Sequence, residues 1–334
     1  MGQEQNRSAS RNFPRRRPAW KNRVRLQAAL CAALSLSACN AEAPTAKADV
    51  GKQTPKPVTV FSGEKAFALL KAQCDIGPRF PGSPGQIKMR DWLIAECKKT
   101  TDKVETQEFK HKWSVTGTDV TMYNVVADMD FGAKKTVLLL AHWDTRPYAN
   151  EDPDPANRNK PIIGASDGAS GVAVLLDLMR AFKEQKPNVN VTFLFVDGED
   201  LGPDLNEMFL GATHFAKTAN LKKYEWGILL DMVGDKDLVI AKEPFSVQYA
   251  RTLVTKFYSH AQSIGLSKQF PNYLQGSIYD DHLALNEKGL PTMDLIDFDY
   301  APWHTLADTP DKCSAESLGY VGKAVESFIR NEFR

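Results

Sequence analysis

Short apolar runs alternate with amphipathic segments along most of the chain, and this alternation constrains the fold more than any other feature. Four runs are rich in β-forming residues, as expected for central strands that are covered on both faces. They are TVLLLAH (136–142), VNVTFLFVD (189–197), WGILLDM (226–232) and PTMDLID (291–297). Other segments have the apolar periodicity of helices, at 171–182, about 211–218, 245–264 and 315–332. We therefore predict an α/β fold, a single-domain α/β/α sandwich around a central mixed, largely parallel sheet.

Two further extended segments precede this pattern, KVETQEFKHKW (103–113) and VTMYNVVADM (120–129). We expect them to pair antiparallel and to extend one edge of the sheet. In sheets of this kind, ligands bind outside the carboxyl ends of the parallel strands. The functional residues are therefore expected where the apolar runs end.

The chain begins with a basic segment followed by an apolar run at 26–36. The run is too short to span a bilayer but has the length of a signal-peptide core. It ends in LSAC (36–39), which resembles the lipobox of bacterial lipoproteins. We therefore expect residues 1–39 to be a lipoprotein signal peptide and Cys39 to be lipidated. Ordinary secretory cleavage near Ala38 and a buried apolar helix are the alternatives.

A signal peptide would direct export of the protein, and a lipidated Cys39 would anchor it to a membrane of the bacterial cell envelope. Asn40, rather than aspartate, follows the cysteine, and by resemblance to the bacterial sorting rule this favours the periplasmic face of the outer membrane. Residues 40–58 are rich in Ala, Pro, Lys and Thr without apolar periodicity, as in a flexible linker. The folded domain is expected to span residues 59–334.

The composition is that of an ordinary globular protein, with 43% hydrophobic and 25% charged residues. The 42 Lys and Arg residues nearly balance the 41 Asp and Glu residues. There is no basic excess that would favour nucleic acid, so no nucleic-acid partner is expected. We expect a monomer.

Three cysteines belong to the expected folded domain, Cys74, Cys97 and Cys313. Export permits a disulfide, and Cys74 with Cys97 is the plausible pair because both lie near the ends of the first two predicted helices. Three buried thiols are the alternative.

Imidazole and carboxylate side chains stand at five separate strand ends or in the loops that follow them. They are His142, Asp167, Glu199 with Asp200, Asp231 and His304. Each alone has an ordinary explanation, such as a helix cap or a turn, but capping does not require a histidine or an acid at every strand end of one edge. Nitrogen and oxygen ligands without thiolates are typical of catalytic zinc sites with an open coordination position. The pattern therefore predicts such a site, with Asp144 placed to fix the tautomer of His142.

Six short motifs follow one another along the chain. They are HWD (142–144), GASDGASG (164–171), DGED (197–200), LLDMVG (229–234), DDH (280–282) and WHT (303–305). Their order resembles the zinc-dependent M28 peptidase family, whose members include aminopeptidases and the animal-type glutaminyl cyclases. The resemblance covers residues 61–334. It implies zinc as the cofactor, with one or two ions, and peptide or protein N-termini as substrates.

The resemblance also implies a role for individual motif residues. Asp167, Asp200 and His304 fall on the metal ligands, and His142 and Asp231 complete the set used by members with two ions. Glu199 falls on the general acid/base. Cyclases commonly carry glutamate at the position of Asp200. The aspartate side chain is shorter, so the backbone must bring it closer to the metal.

The two branches of the family differ at residue 280. Aminopeptidases usually read Ser-Asp-His where this chain reads Asp-Asp-His, which is the cyclase sequence. In the cyclases, the first aspartate is hydrogen-bonded to the acid/base glutamate. We therefore expect Asp280, Asp231 and Glu199 to share protons and to act together in catalysis. A helix N-cap is the alternative for Asp280.

Two further features favour a cyclase. Trp303 directly precedes His304, as in the cyclases, and can form one wall of an apolar slot for the glutamine side chain. The loop LGPDLNEMFLG (201–211) is as long as in cyclases but lacks their substrate-facing tryptophan, and Phe209 or Met208 is expected to fill that space.

The resemblance therefore implies a zinc-dependent glutaminyl-peptide cyclotransferase, which converts N-terminal glutamine to pyroglutamate and releases ammonia. The alternative is a zinc-dependent M28 aminopeptidase that hydrolyses N-terminal residues. A lipid-anchored binding module without activity is disfavoured because every catalytic position is filled.

Overall fold

The computed structural model describes residues 59–334. The predicted signal peptide (1–39), the linker (40–58) and the lipidation site Cys39 lie outside the described residues and stay predictions. Within 59–334, no helix has both the length and the apolar character needed to cross a membrane.

The predicted alternation of strands and helices is confirmed. The strands are β1 (Val104–Trp113), β2 (Thr118–Met129), β3 (Thr136–His142), β4 (Asn190–Val196), β5 (Tyr224–Asp231) and β6 (Thr292–Ile296). The helices are α1 (Gly63–Ile76), α2 (Pro84–Lys98), α3 (Ala169–Glu184), α4 (Leu210–Thr218), α5 (Pro244–Tyr249), α6 (Arg251–Ser263), α7 (His282–Asn286) and α8 (Ala315–Glu332). The helix predicted at 245–264 is two helices, because the backbone leaves helical geometry at Ala250 (φ −127°, ψ 35°).

The six strands form one sheet in the order β1-β2-β4-β3-β5-β6. Strands β4, β3, β5 and β6 are parallel to one another, and β1 and β2 add an antiparallel edge, as predicted. The register places Leu139 of β3 between Phe193 of β4 and Ile228 of β5. The chain passes from β3 to β4 on one side and later to β5 on the other, so the strand order reverses at β3. Such a reversal opens a crevice at the carboxyl ends of the strands, where ligands bind.

Helices cover both faces of the sheet. On one face, Val137, Leu139 and Ala141 of β3 are fully buried in a core that includes α1, α3, α6 and α8. On the other face, Leu138 and Leu140 are buried in a second core with α4 and α7. Because successive side chains of a strand point to opposite faces, β3 is covered on both sides. The predicted α/β/α sandwich is therefore confirmed.

The structure also decides between a disulfide and three buried thiols. Cys74, Cys97 and Cys313 are buried free thiols, so the Cys74–Cys97 disulfide is not formed. Burial raises the pKa of the Cys74 thiol to about 11 and that of Cys97 to about 12. Thiols of this kind behave as small apolar side chains of the core.

Candidate active site

A cavity of about 410 Å³ opens at the carboxyl edge of the parallel strands. Ligand pockets in proteins run from roughly 300 to 1,000 Å³. The predicted residues that line it are Asp167, Glu199, Asp200, Met208, Phe209, Asp231, Asp280, Trp303 and His304. His142 lies behind them, against Asp167 and Asp231, and is only 1% exposed. The structure thus brings all the predicted site residues of the folded part together.

Two groups of possible ligand atoms lie side by side and share Asp167. In the first group, Nε2 of His304 lies 3.3 Å from Oδ1 of Asp200 and 3.5 Å from Oδ2 of Asp167. In the second, Nε2 of His142 lies 3.0 Å from Oδ1 of Asp231 and 3.2 Å from Oδ1 of Asp167. Within each group, the three ligand atoms lie within 4.8 Å of one another. Asp167 therefore offers one oxygen to each group.

The chemistry of these groups fits a divalent cation. Three carboxylates are buried together with two imidazoles, and Oδ2 of Asp200 has no hydrogen-bond partner among residues 59–334. A buried carboxylate oxygen without a partner is costly unless a donor or a cation satisfies it. Nitrogen and oxygen donors without thiolates are the usual set of a catalytic zinc site. Asp167, Asp200 and His304 can therefore hold zinc, with His142 and Asp231 as a second position.

Arg146 constrains Asp200 and was missed in the sequence. Its Nη1 donates to Oδ1 of Asp200 at 2.7 Å, and its Nε donates to Oδ1 of Asn150 at 2.6 Å. Burial alone would raise the pKa of Asp200, but the charges of His304 and Arg146 lower it to about 2. The hydrogen bond from Arg146 therefore holds the Asp200 carboxylate in place beside His304. The one sequence signal for Arg146 is its position two residues after the HWD motif.

Asp144 does more than the sequence predicted. Its Oδ1 lies 3.6 Å from Nδ1 of His142, which is too long for a hydrogen bond but close enough to orient the imidazole by charge. Its two oxygens also accept the backbone N–H groups of Glu199 and Asp200, each at 3.1 Å. One fully buried carboxylate therefore positions both the end of β3 and the acidic loop after β4.

Arg79 joins the two loops that carry the first ligands. It is fully buried, and its guanidinium donates to the carbonyl oxygens of Trp143 at 3.1 Å, Ile163 at 2.8 Å and Gly164 at 3.0 Å. Trp143 follows β3, and the other two residues precede α3. The loop between α1 and α2 thus fixes the spacing of both ligand loops through one side chain.

Buried carboxyl groups crowd around Glu199. Burial raises the pKa of Glu199 well above its usual range, the charge of His142 lowers it, and Asp200 and Asp280 raise it further. Burial likewise raises the pKa values of Asp280 and Asp231. A raised pKa favours the protonated carboxyl group over the carboxylate. The predicted sharing of protons among Glu199, Asp231 and Asp280 stays a prediction.

Asp280 is not a helix cap, so that alternative is wrong. Helix α7 begins one residue later than a cap at 280 would require, with Asp281 at its N-cap position and no side-chain capping bond. Oδ1 of Asp280 accepts the N–H of Asp281 at 2.6 Å, and Oδ2 has no partner among residues 59–334. The hydrogen bond to Glu199 that the resemblance implies is therefore not formed in this structure. Asp294 lies near Asp280 instead, with one carboxylate oxygen of each within 4.8 Å of the other.

The predicted apolar slot is present beside His304. The ring of Trp303 stacks on the His304 imidazole with 3.8 Å between centroids and 23° between planes. Behind Trp303, the apolar side chains of Met232, Ile278 and Ile296 form a buried cluster that also lines the cavity. The slot therefore has one aromatic wall and an apolar floor.

The loop after β4 is held in place at two points. The N–H of Phe209 donates to the carbonyl of Glu199 at 2.9 Å. The Glu207 carboxylate accepts the N–H of Ser114 at 2.8 Å and lies 3.0 Å from Nε2 of His111. These bonds place Met208 and Phe209 in the cavity wall. The sequence predicted that one of these two side chains fills the space of the cyclase tryptophan. Glu207 had no sequence signal, because its partners are about 95 residues away on the hairpin of β1 and β2.

Left-handed backbone is concentrated at the cavity. Phe209, Met232 and His304 have φ values of 58°, 50° and 53°, and all three line the cavity. Left-handed geometry is unfavourable for bulky residues, and such strain clusters at functional sites where the surrounding structure maintains it. The packing around the cavity therefore fixes these side chains in specific directions.

Comparisons with known proteins agree with this geometry. The model of Peptidase family M28 matches residues 124–329. The glutaminyl-peptide cyclotransferase-like protein of Mus musculus is 27% identical over 285 residues, which cover 75% of this chain and 71% of the mouse protein. The glutaminyl cyclase of Tannerella forsythia has a TM-score of 0.78 and 35% identity, covering 81% of this chain and 99% of that one. A Zn-dependent exopeptidase of Parabacteroides distasonis has a TM-score of 0.78 and 33% identity, covering 81% and 98%.

The family match extends over more than half of the chain and contains both ligand groups described above. Both solved structures are more than 30% identical to this chain over nearly their whole length. The similarity in fold, in sequence and in the order of the motifs has one explanation. The chain belongs to peptidase family M28.

Proposed function

We propose that this protein is a zinc-dependent glutaminyl-peptide cyclotransferase, which converts the N-terminal glutamine of peptides to pyroglutamate and releases ammonia. The observation that carries the proposal is the carboxyl group of Asp280, which is buried in the cavity wall and caps no helix. Asp280 stands where M28 aminopeptidases usually carry serine. The similarity to the Mus musculus cyclotransferase-like protein and to the Tannerella forsythia glutaminyl cyclase supports the same conclusion.

Zinc would be held by Asp167, Asp200 and His304, and His142 with Asp231 would admit a second ion. Bound there, zinc supplies a Lewis acid next to the substrate carbonyl. The name of the Zn-dependent exopeptidase among the similar structures supports this choice of metal.

Glu199 is placed to move the proton that the reaction transfers. As the α-nitrogen of the substrate forms its bond to the γ-carboxamide carbon, the Glu199 carboxylate accepts a proton from that nitrogen. The same carboxyl group then returns the proton to the departing amide nitrogen, which leaves as ammonia when its bond to carbon breaks. The carboxyl group of Asp280 lies in the cavity wall with Glu199, and burial raises its pKa.

The apolar slot supports cyclisation over hydrolysis. Trp303, Met232 and Ile296 can pack against the methylene groups of the glutamine side chain and hold the amine close to the carboxamide. The same apolar surfaces leave few partners for a water molecule beside the reacting carbon. Cyclisation needs both effects, because water would otherwise compete as the nucleophile.

A zinc-dependent aminopeptidase is the second candidate. The observation that favours it is the second ligand group, His142 with Asp167 and Asp231, because pairs of metal ions activate water in hydrolases of this type. The lack of a tryptophan in the loop at 201–211 also departs from the cyclase pattern.

One experiment separates the two activities. The purified, zinc-loaded protein is incubated with Gln-Ala and Leu-Ala peptides, and the products are identified by mass spectrometry. Loss of one ammonia from the glutamine peptide, with the leucine peptide intact, is the expected result. Free leucine without pyroglutamate would overturn the proposal in favour of an aminopeptidase.

We also propose that the protein is exported and anchored by a lipid on Cys39 to the periplasmic face of the bacterial outer membrane, and that it acts as a monomer. The support is the LSAC sequence (36–39), the asparagine that follows it and the linker at 40–58. Peptides and protein N-termini of the envelope would then be the available substrates.

A further inference from the structure

A second cavity lies among the helices on one face of the sheet, between α1, α2 and α3. Its volume is about 450 Å³, which is similar to that of the catalytic cavity. We call it the helical groove, and its apolar lining residues are Ala68, Leu69, Ala72, Trp92 and Leu176. Leu69 and Trp92 pack against the main core and stay partly exposed. An apolar floor that is open to solvent is typical of a binding surface.

Basic side chains surround this apolar floor. They are Lys65, Lys99, Arg180 and Lys183. The acids of the groove, Glu96 and Asp177, each pair with one of these cations at 2.6 Å. Lys65 and Lys183 have no carboxylate partner among residues 59–334. Nζ of Lys183 donates to the carbonyl oxygen of Lys99 at 2.6 Å, which fixes its charge at the edge of the groove. The helical groove therefore combines an apolar floor with uncompensated positive charge.

The described part of the chain begins at the edge of this groove. Nη2 of Arg180 donates to the carbonyl oxygen of Val60 at 2.7 Å. Oδ2 of Asp177 accepts the N–H of Ser62 at 2.7 Å. The fully buried Glu326 of α8 accepts the N–H of Val60 at 3.0 Å. These hydrogen bonds fix the residues that follow the linker, so a tether attached there would hold this face of the domain toward its anchor.

The helical groove and the catalytic cavity lie toward opposite ends of α3. The helix begins two residues after Asp167, whereas its groove residues run from Leu176 to Lys183. Because a helix rises 1.5 Å per residue, these residues lie roughly 10 to 20 Å along α3 from its first residue. A membrane that contacts the groove therefore leaves the catalytic cavity open at the other end of the helix.

We propose that the helical groove binds an anionic phospholipid of the membrane to which the protein is anchored. The acyl chain lies on Leu69 and Trp92, and the phosphate lies beside Lys65 and Lys183. Bound in this way, the domain turns its catalytic cavity away from the membrane, toward peptides in the surrounding space. The binding of lipid goes beyond the proposed function, and its role in orientation rests on the proposed anchor at Cys39.

Charge favours a lipid over the other occupants that could cover the groove. The linker at 40–58 carries three lysines against two acids, so the basic side chains of the groove repel it. A second copy of this chain presents the same basic side chains. An anionic phospholipid supplies negative charge and an apolar chain together. Two lysines give only a weak attraction, so the groove orients a protein that the lipid on Cys39 already holds at the membrane.

Binding to vesicles tests the proposal without reference to activity. The full chain carrying Cys39→Ser, which cannot receive a lipid, is mixed at low salt with vesicles of phosphatidylethanolamine and phosphatidylglycerol. Phosphatidylcholine replaces phosphatidylglycerol in neutral vesicles, and bound protein is measured by sedimentation. We expect the partition coefficient to be at least about fivefold higher on the anionic vesicles. Lys65→Glu together with Lys183→Glu should lower it about tenfold.

A matched pair of variants separates the groove from net charge. Lys217→Glu together with Lys288→Glu makes the same change of charge on the opposite face of the sheet, where Lys217 is exposed on α4 and Lys288 is exposed after α7. It should lower the partition coefficient less than about twofold. The apolar run at 26–36 is the same in every variant, so differences between variants report on the folded domain.

Trp92 reports directly on the apolar floor. Phosphatidylglycerol with a brominated acyl chain quenches the fluorescence of a tryptophan that it contacts. We expect quenching on the anionic vesicles, and we expect Trp92→Phe to remove most of it. Phenylalanine keeps the floor apolar, so the partition coefficient of Trp92→Phe should stay close to that of the parent chain.

The outcomes distinguish the lipid site from the activity. Equal binding to both kinds of vesicle, or an equal loss in the two lysine pairs, would overturn the proposal and leave the cyclotransferase function untouched. Quenching that persists in Trp92→Phe would overturn it as well, because the acyl chain would then lie elsewhere. Self-association without vesicles that Lys65→Glu and Lys183→Glu alter would instead assign the groove to a second copy. Vesicle binding that appears only in a variant without residues 40–58 would assign it to the linker.

Discussion

At the scale of single residues, Glu199 has the most defined role. It is 7% exposed, lines the cavity and lies three residues after the end of β4. Glu199→Gln keeps the shape of the side chain but removes its ability to accept a proton. We expect kcat to fall at least about a hundredfold, because positioned acid/base groups contribute that much or more. The measurement is ammonia release from a glutamine peptide, together with the zinc content of the variant.

The zinc content of Glu199→Gln should equal that of the unaltered protein, because Glu199 belongs to neither ligand group. Glu105→Gln on the exposed surface of β1 is the matched control and should have normal kcat. A near-normal rate in Glu199→Gln would remove Glu199 from its assigned role. Loss of zinc together with activity would instead make it a structural residue of the metal site.

Asp144 allows a test of a residue that orients the metal ligands but does not itself contact the substrate. Asp144→Asn can still accept one of the two backbone N–H groups but loses the charge that faces His142. We expect zinc affinity to fall by about 10- to 100-fold, which is typical when a residue that orients metal ligands is changed. Competition with a chelator measures this without reference to activity. Asp119→Asn, an exposed residue of β2, is the control, and equal affinities of the two variants would contradict the role.

At the scale of elements, the loop between β4 and α4 depends on Glu207. Its carboxylate joins the loop to the hairpin of β1 and β2 through Ser114 and His111. Glu207→Ala should release Met208 and Phe209 from the cavity wall and raise KM roughly three- to tenfold, since hydrogen bonds to a charged group are comparatively strong. Steady-state kinetics with a glutamine peptide measure the change. Glu108→Ala, exposed on β1 of the same hairpin, should leave KM unchanged.

The same contact predicts a dependence on pH. Burial opposes ionisation of Glu207, but hydrogen bonds from Ser114 and His111 outweigh it and lower its pKa. A carboxyl group with a lowered pKa stabilises the folded loop above its ordinary pKa and loses this effect as pH falls through the lowered value. KM of the unaltered protein should therefore rise at acidic pH more than KM of Glu207→Ala. Parallel pH profiles of KM would show that the loop does not depend on this ionisation.

Local sequence patterns were sufficient to predict the central strands. They did not reveal the residues that act through long-range contacts. Strands β3 to β6 are continuous apolar runs, so their positions and their covered faces follow from local sequence. The break at Ala250 lies inside one continuous amphipathic pattern and could not be seen there. Arg146 and Glu207 act through partners that only the fold brings close. Motif order, in contrast, predicted which residues the fold brings together, because the motifs lie at strand ends or in the loops that follow them, at the same edge of the sheet.

At the scale of the whole molecule, the sheet topology explains why the site is where the motifs meet. Strands β3 and β5 are neighbours, and β4 and β6 lie on their outer sides. Their parallel carboxyl ends bring residues from separate stretches of chain, between 146 and 304, into one cavity. The antiparallel hairpin of β1 and β2 then supports the loop after β4 from the edge. The order of elements thus assigns ligand binding to the parallel strands and loop support to the antiparallel ones.

The anchoring of the molecule gives the last prediction, which concerns residues outside the described part. Lipidation of Cys39 would leave residues 40–58 as the tether, and a flexible chain of that length spans about 25 Å. That distance lets the cavity reach N-termini in the space beside the membrane. Cys39→Ser should move the protein from the membrane fraction to the soluble periplasmic fraction with unchanged activity per molecule. Cys31→Ser, in the apolar run of the same segment, is the control and should stay with the membrane. A Cys39→Ser protein that remains in the membrane fraction would mean that the apolar run, and not a lipid, is the anchor.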